Sequence, residues 1–201
     1  MDPENQYYNR LKQDLQNNPQ DVAALIQIGA LEFEYFHRHN KAIDYLQQAI
    51  NLNPKNIDAR FWLAACLYHD FCEYEKAEHV LKEALQLAPN RADCLSLLAS
   101  ITWHSGSPLE QAISYLRKAV EAAPDWPLLR HKLATLLLEL HQIEQAEQEI
   151  KKALALSQSP PKQTQNEVEY YYEYVVTGRA WLNIKDEFRE LIERLESEKR
   201  D

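Results

Sequence analysis

The sequence predicts an all-α fold of stacked helix-turn-helix units. Three observations predict it. Prolines recur at Pro19, Pro54, Pro89 and Pro124, each step being 35 residues. A small-large-small triplet recurs with them: Ala42, Leu46, Ala49; Ala77, Leu81, Ala84; Ala112, Leu116, Ala119; Ala146, Ile150, Ala153. Only 3 glycines occur in 201 residues, too few for the turns of a β-rich chain.

Each observation has a physical reading. A proline cannot extend the helix before it and suits the entry of the next, so regular prolines at this period signal stacked repeats. Offsets of 0, 4 and 7 place the triplet on one helical face. Two helices of a hairpin approach closely where side chains are small, and the larger residue fills the adjoining groove. The first helix of each unit carries its own pair, a large apolar residue followed by a small one: Ile28-Gly29, Leu63-Ala64, Leu98-Ala99 and Leu133-Ala134.

The elements follow in order. Residues 5–17 form a lone helix with Tyr8, Leu11 and Leu15 on one side, giving an N-terminal cap over residues 1–19. Four units then span about 20–54, 55–89, 90–124 and 125–158. The step from Ala112 to Ala146 is 34, one shorter than the others. This places an extra residue in the internal turn of the first three units, around His37, Phe71 and Ser105. A break at Ser157–Pro161 precedes a helical pair over 159–201. Its first helix, about 166–182, is apolar on two sides. Its second, about 185–198, places Phe188, Leu191, Ile192 and Leu195 on one face. The pair reads as a degenerate fifth unit that seals the stack; a homodimer through these helices is the alternative.

The pattern resembles the tetratricopeptide repeat, W-x2-L-G-x2-Y, then A-x3-F, then P. The second part is well kept, as in Ala112-Ile113-Ser114-Tyr115-Leu116 and Pro124. The first is looser: Leu25, Arg60, Leu95 and Arg130 stand where Trp is usual. The resemblance implies a right-handed superhelical solenoid whose first helices line a concave groove for partner peptides. Projecting the repeat onto that groove gives Ile26, Ala30 and Phe33, then Phe61, Ala65, Tyr68 and His69. The third unit gives Ser96, Ser100, Trp103 and His104, and the fourth His131, Thr135 and Leu138. Of these, Phe33, Phe61, Tyr68, His69, Trp103, His104 and His131 are the peptide-binding candidates. Aromatic side chains offer large contact area with few rotors, which favours Tyr68 and Trp103. The chaperone-binding members grip a terminal carboxylate with Lys, Asn and Arg. Here the matching positions hold Ile26, Ala30, Phe61, Trp62, Ala65, Asp93 and Leu97, so no such clamp is expected.

Composition bounds the rest. The net charge of -9 argues against a nucleic-acid partner. No apolar run of membrane-spanning length appears, so no insertion is expected. Three cysteines and a polar N-terminus point to a reducing, cytoplasmic setting. Cys66 and Cys94 fall on inward faces and Cys72 in a turn. His37-Arg38-His39 lacks zinc-site spacing, and no nucleophile elbow or phosphate loop occurs. The expectation is a non-enzymatic, protein-binding scaffold without cofactor or metal. A secretion chaperone for a hydrophobic translocator, or a homo-oligomeric structural subunit using Tyr170, Tyr174 and Trp181, are the alternatives.

Overall fold

The computed structural model describes residues 3–69, 71–157, 189 and 191–197. Among these residues all regular structure is helical. α1 spans Pro3–Asn17, α2 Val22–Glu34, α3 His39–Leu52, α4 Ile57–His69 and α5 Tyr74–Leu87. α6 spans Ala92–His104, α7 Leu109–Ala122, α8 Pro127–Glu139 and α9 Ile143–Ser157. Residues 191–197 are also helical. The expected helix over 166–182 lies outside the described residues, as does Phe188. The chain divides into two compact units, Met1–Ser105 and Gly106–Asp201.

The prolines act in one way throughout. Asp21, Asn56, Arg91 and Trp126 each donate a backbone N–H to the carbonyl three residues earlier, at 3.0–3.2 Å. Each bond closes a four-residue turn with proline second, where a fixed φ near -65° is wanted. The residue that ends the turn opens the next helix. Asp21 and Asn56 cap α2 and α4 through their side chains, accepting from the Ala24 and Ala59 amides at 3.0 and 2.8 Å. Arg91 has no acceptor to offer, and Asp93 accepts from the Cys94 amide at 2.7 Å instead. Arg91 also bridges Asp93 at 3.0 Å and Asp58 at 2.5 Å, tying the starts of α4 and α6 together.

The alanine register is the core. All eight alanines of the triplets are fully buried, and Leu46, Leu81, Leu116 and Ile150 are at most 2% exposed. In the first unit α2 packs on α3, α4 on α5, and α3 and α5 on the helices that follow them. In the second, α8 packs on α7 and α9. The helices approach closely at Gly29, where an added Cβ would lie 2.7 Å from Leu46 Cγ. Arg60 and Arg130, in place of the usual Trp, lay their stems inward and reach carboxylates: Glu83 at 3.3 Å and Glu149 at 2.7 Å.

Among the described residues one acidic side chain is buried outright. Glu32 of α2 has no exposed surface; the Tyr8 hydroxyl of α1 donates to one of its oxygens and Arg38 Nε to the other. The Arg38 guanidinium lies 4.3 Å from the Phe36 ring centre. Burial first, then the Glu32 carboxylate, pushes the Tyr8 phenol well above its ordinary range.

The internal turns differ as the spacing requires. Those of the first three repeats have four residues, and the fourth, 140–142, has three. In the fourth, Gln142 donates to Leu137 and His141 to Leu138, both at 2.9 Å. His141 is left-handed at φ 54. This is a Schellman closure with a non-glycine residue in the glycine position. The longer first and second turns stretch one step further: Arg38 donates to Glu32 and Glu73 to Leu67, with His37 and Cys72 left-handed. Pro108 holds the matching place in the third turn and has no N–H to give; there the left-handed residue is Gly106, at φ 78.

Candidate functional site

The first unit gathers rings at the last turns of its first helices. Phe33 ends α2, Tyr68 and His69 end α4, and Trp103 and His104 end α6. Centroid distances trace a path across them: Phe33 to His69 6.0 Å, His69 to Tyr68 4.5 Å, Tyr68 to His104 5.7 Å, His104 to Trp103 4.9 Å. Tyr68 and Trp103 are therefore joined through an imidazole. Tyr74, at the start of α5, lies 6.0 Å from Tyr68.

These rings remain accessible. Trp103 is 36% exposed, His69 and His104 are exposed, and Phe33 and Tyr68 are half-buried. Trp62, 4% exposed, lies beneath Phe33 at 6.2 Å and supports it. Phe61 is half-buried against Trp62 at 5.3 Å. His131 stands half-buried on α8 in the second unit, at the register of Phe61.

The remaining projected positions are less open. Ile26, Ala30, Ala65, Ser96 and Leu138 are all at most 8% exposed, and Ser100 and Thr135 are half-buried. In the first unit α2 packs on α4 and α4 on α6, which covers mid-helix residues such as Ala30 and Ala65. Projection from sequence places these side chains on an open face because it counts turns along one helix and ignores the helix beside it.

The polar geometry is specific. His104 Nδ1 lies 2.8 Å from both the Ser100 carbonyl oxygen and the Tyr68 hydroxyl. A carbonyl only accepts, so Nδ1 carries the hydrogen, and Nε2 is the acceptor of the neutral ring. The Tyr68 oxygen then shares that N–H, and its own proton is free to be donated elsewhere. Burial, followed by Tyr74 and Cys72 nearby, pushes the Tyr68 phenol up to about 12. It is a hydrogen-bond donor at all ordinary pH. Cys66 and Cys94 are buried and Cys72 is exposed, as their register predicts. Burial and the Asp93 carboxylate raise the Cys94 thiol, which removes it from thiolate chemistry.

Among the described residues no group of three His, Cys, Asp or Glu is disposed to hold a metal ion, and no helix is long and apolar enough to cross a membrane. Sequence reasoning missed a second feature. Residues His37, Arg38, His39, Asn40, Lys41 and Phe71 line an open surface cavity of about 540 Å³. Phe71 is 42% exposed. The signal is the basic run itself, in which Arg38 and Lys41 matter more than the spacing of the histidines.

A tetratricopeptide-repeat family model matches residues 36–101 and 109–165, more than half of the chain. The chain belongs to the tetratricopeptide-repeat family. A second model, for anaphase-promoting complex subunit 5, matches residues 5–64. No curated protein matches the chain. Several solved structures share the fold. PilF of Pseudomonas aeruginosa is 20% identical with a TM-score of 0.68, over 93% of this chain and 88% of its own. A tetratricopeptide protein of Thermus thermophilus, TTC0263, is 21% identical, TM-score 0.67, over 86% and 91%. YrrB, a tetratricopeptide protein with an unusual peptide-binding site, is 17% identical, TM-score 0.60, over 95% and 93%. Tetratricopeptide-repeat proteins are in general non-catalytic scaffolds for protein–protein contacts.

Proposed function

We propose that this protein binds an apolar or amphipathic segment of another protein along the ring path of its first unit. The observation that carries the reading is the row of accessible last-turn rings, with Trp103 left 36% exposed beside His104 and Tyr68. A large aromatic held at a helix end by its neighbours loses little rotamer freedom on contact, which is the makeup of a binding hot spot. The Tyr68 proton and the His104 Nε2 lone pair supply a donor and an acceptor beside the rings, enough to orient a peptide backbone or an amide side chain. The unusual peptide-binding site of the similarly folded YrrB is consistent with such use of the fold.

The test is affinity capture with intact protein and with a Tyr68→Ala, Trp103→Ala double variant. Loss of the same captured partner, with helicity by circular dichroism unchanged, supports the reading. Retention of that partner by the variant rules it out.

A further inference from the structure

We propose that the cavity beside the α2–α3 turn is the charged end of this same surface, and that the occupant is an acidic peptide segment carrying an aromatic or large aliphatic side chain. This rests on the reading of the ring path as a peptide-binding surface. The cavity and the path are joined: His39 lines the cavity and meets Phe33 at 5.6 Å, and Phe33 begins the path.

The charge pattern selects the occupant. The chain carries a net charge of -9, yet among the described residues the lining contains Arg38, Lys41 and two imidazoles and no carboxylate, the Glu32 that pairs with Arg38 lying outside it. Arg38 Nε is committed to Glu32, while the Arg38 side chain as a whole stays 39% exposed. A guanidinium carries five N–H donors, so one already engaged with a carboxylate can still meet a second. Phe71 supplies an apolar wall to the same cavity, so the favoured ligand is not a bare anion but a carboxylate flanked by an apolar side chain. A volume of about 540 Å³ admits a few side chains. A long polyanion such as a nucleic acid would meet the repulsion of the acidic chain as a whole.

The probe is a displayed library of random peptides of about a dozen residues, selected against the full chain. Three forms are used: the unaltered protein, His37→Glu with Lys41→Glu, and Tyr68→Ala with Trp103→Ala. His37 and Lys41 are both exposed, so placing an acid at each leaves the core intact. The expected result is enrichment of Asp and Glu together with an aromatic or Leu from the unaltered protein. Charge reversal should remove the acidic enrichment and keep the apolar one. The strongest peptide, resynthesised with an amidated C-terminus, should bind the charge-reversed form about tenfold or more weakly, and should bind as well as its free-acid form. Neutral peptides from the unaltered protein, or acidic enrichment that survives charge reversal, would overturn the inference while leaving the ring path standing. Displacement of the bound peptide by a single-stranded oligonucleotide of equal charge would also overturn it. Identical peptides from the Tyr68→Ala, Trp103→Ala form, or no enrichment at all, would remove the underlying reading as well.

Discussion

Trp103 on α6 and Leu138 on α8 occupy the same place in their repeats, 35 residues apart, and have opposite fates. Trp103 is 36% exposed at the end of a helix followed by a four-residue turn. Leu138 is fully buried, and its carbonyl accepts the His141 amide in a tight three-residue closure. Repeat position therefore does not determine whether a side chain is core or contact surface. The length of the turn that follows and the helices laid against it decide.

The contrast is sharpest in stability. Leu138→Ala should cost about 2–5 kcal/mol, the range for emptying a packed leucine site, whereas Trp103→Ala should cost about 1 kcal/mol or less. Urea midpoints at unchanged slope measure both, and equal losses would erase the distinction. Exchanging the residues is the next test. Leu138→Trp overpacks a closed site and should cost about 1–3 kcal/mol, while Trp103→Leu should stay within about 0.5 kcal/mol. A Leu138→Trp variant as stable as the parent would mean that α8 has room for a ring.

How much of this was legible without coordinates varies by residue. Ala42, Leu46 and Ala49 and their counterparts announced the core because close helix packing restricts residue type at fixed offsets, and all proved buried. The one-residue difference in turn length was likewise written in the step from Ala112 to Ala146. Exposure was less legible. Ala30 and Ala65 look like a floor open to a partner, yet α2 packs on α4 and α4 on α6, which no single helix's periodicity reports. The hydrogen-bonded Glu32 was also unread, although a lone acid within Ile28-Gly29-Ala30-Leu31 and Phe33 is the kind of interruption that asks for a buried partner.

The turns give a smaller test. His141 holds a left-handed conformation that costs an ordinary residue about 1–2 kcal/mol. His141→Gly should raise stability by up to about 1 kcal/mol, and Gly106→Ala should lower it by a similar amount. Thermal melts of the two variants should shift in opposite directions.

The smallest signal is optical. Because the Tyr68 phenol is raised to about 12, its share of stability is intact below the ordinary tyrosine value near 10 and is lost as pH rises toward 12. Difference absorbance between the protein and Tyr68→Phe should place the missing tyrosinate near pH 12. A missing component near 10 would show an unburied ring, and α4 would then end in open solvent.

The position of Glu32 has a practical consequence for anyone shortening this chain. Tyr8 belongs to the lone first helix, and it supplies one of the two hydrogen bonds that make an interior carboxylate tolerable. A version trimmed to begin at Gln20 would leave that acid half-satisfied and uncover the side of α2 on which α1 packs. Leaving a buried acceptor without its donor in this way typically costs about 1–3 kcal/mol, a sizeable share of what holds a protein of this size folded. The leading helix is thus a structural member in its own right, and a minimal soluble fragment should keep it.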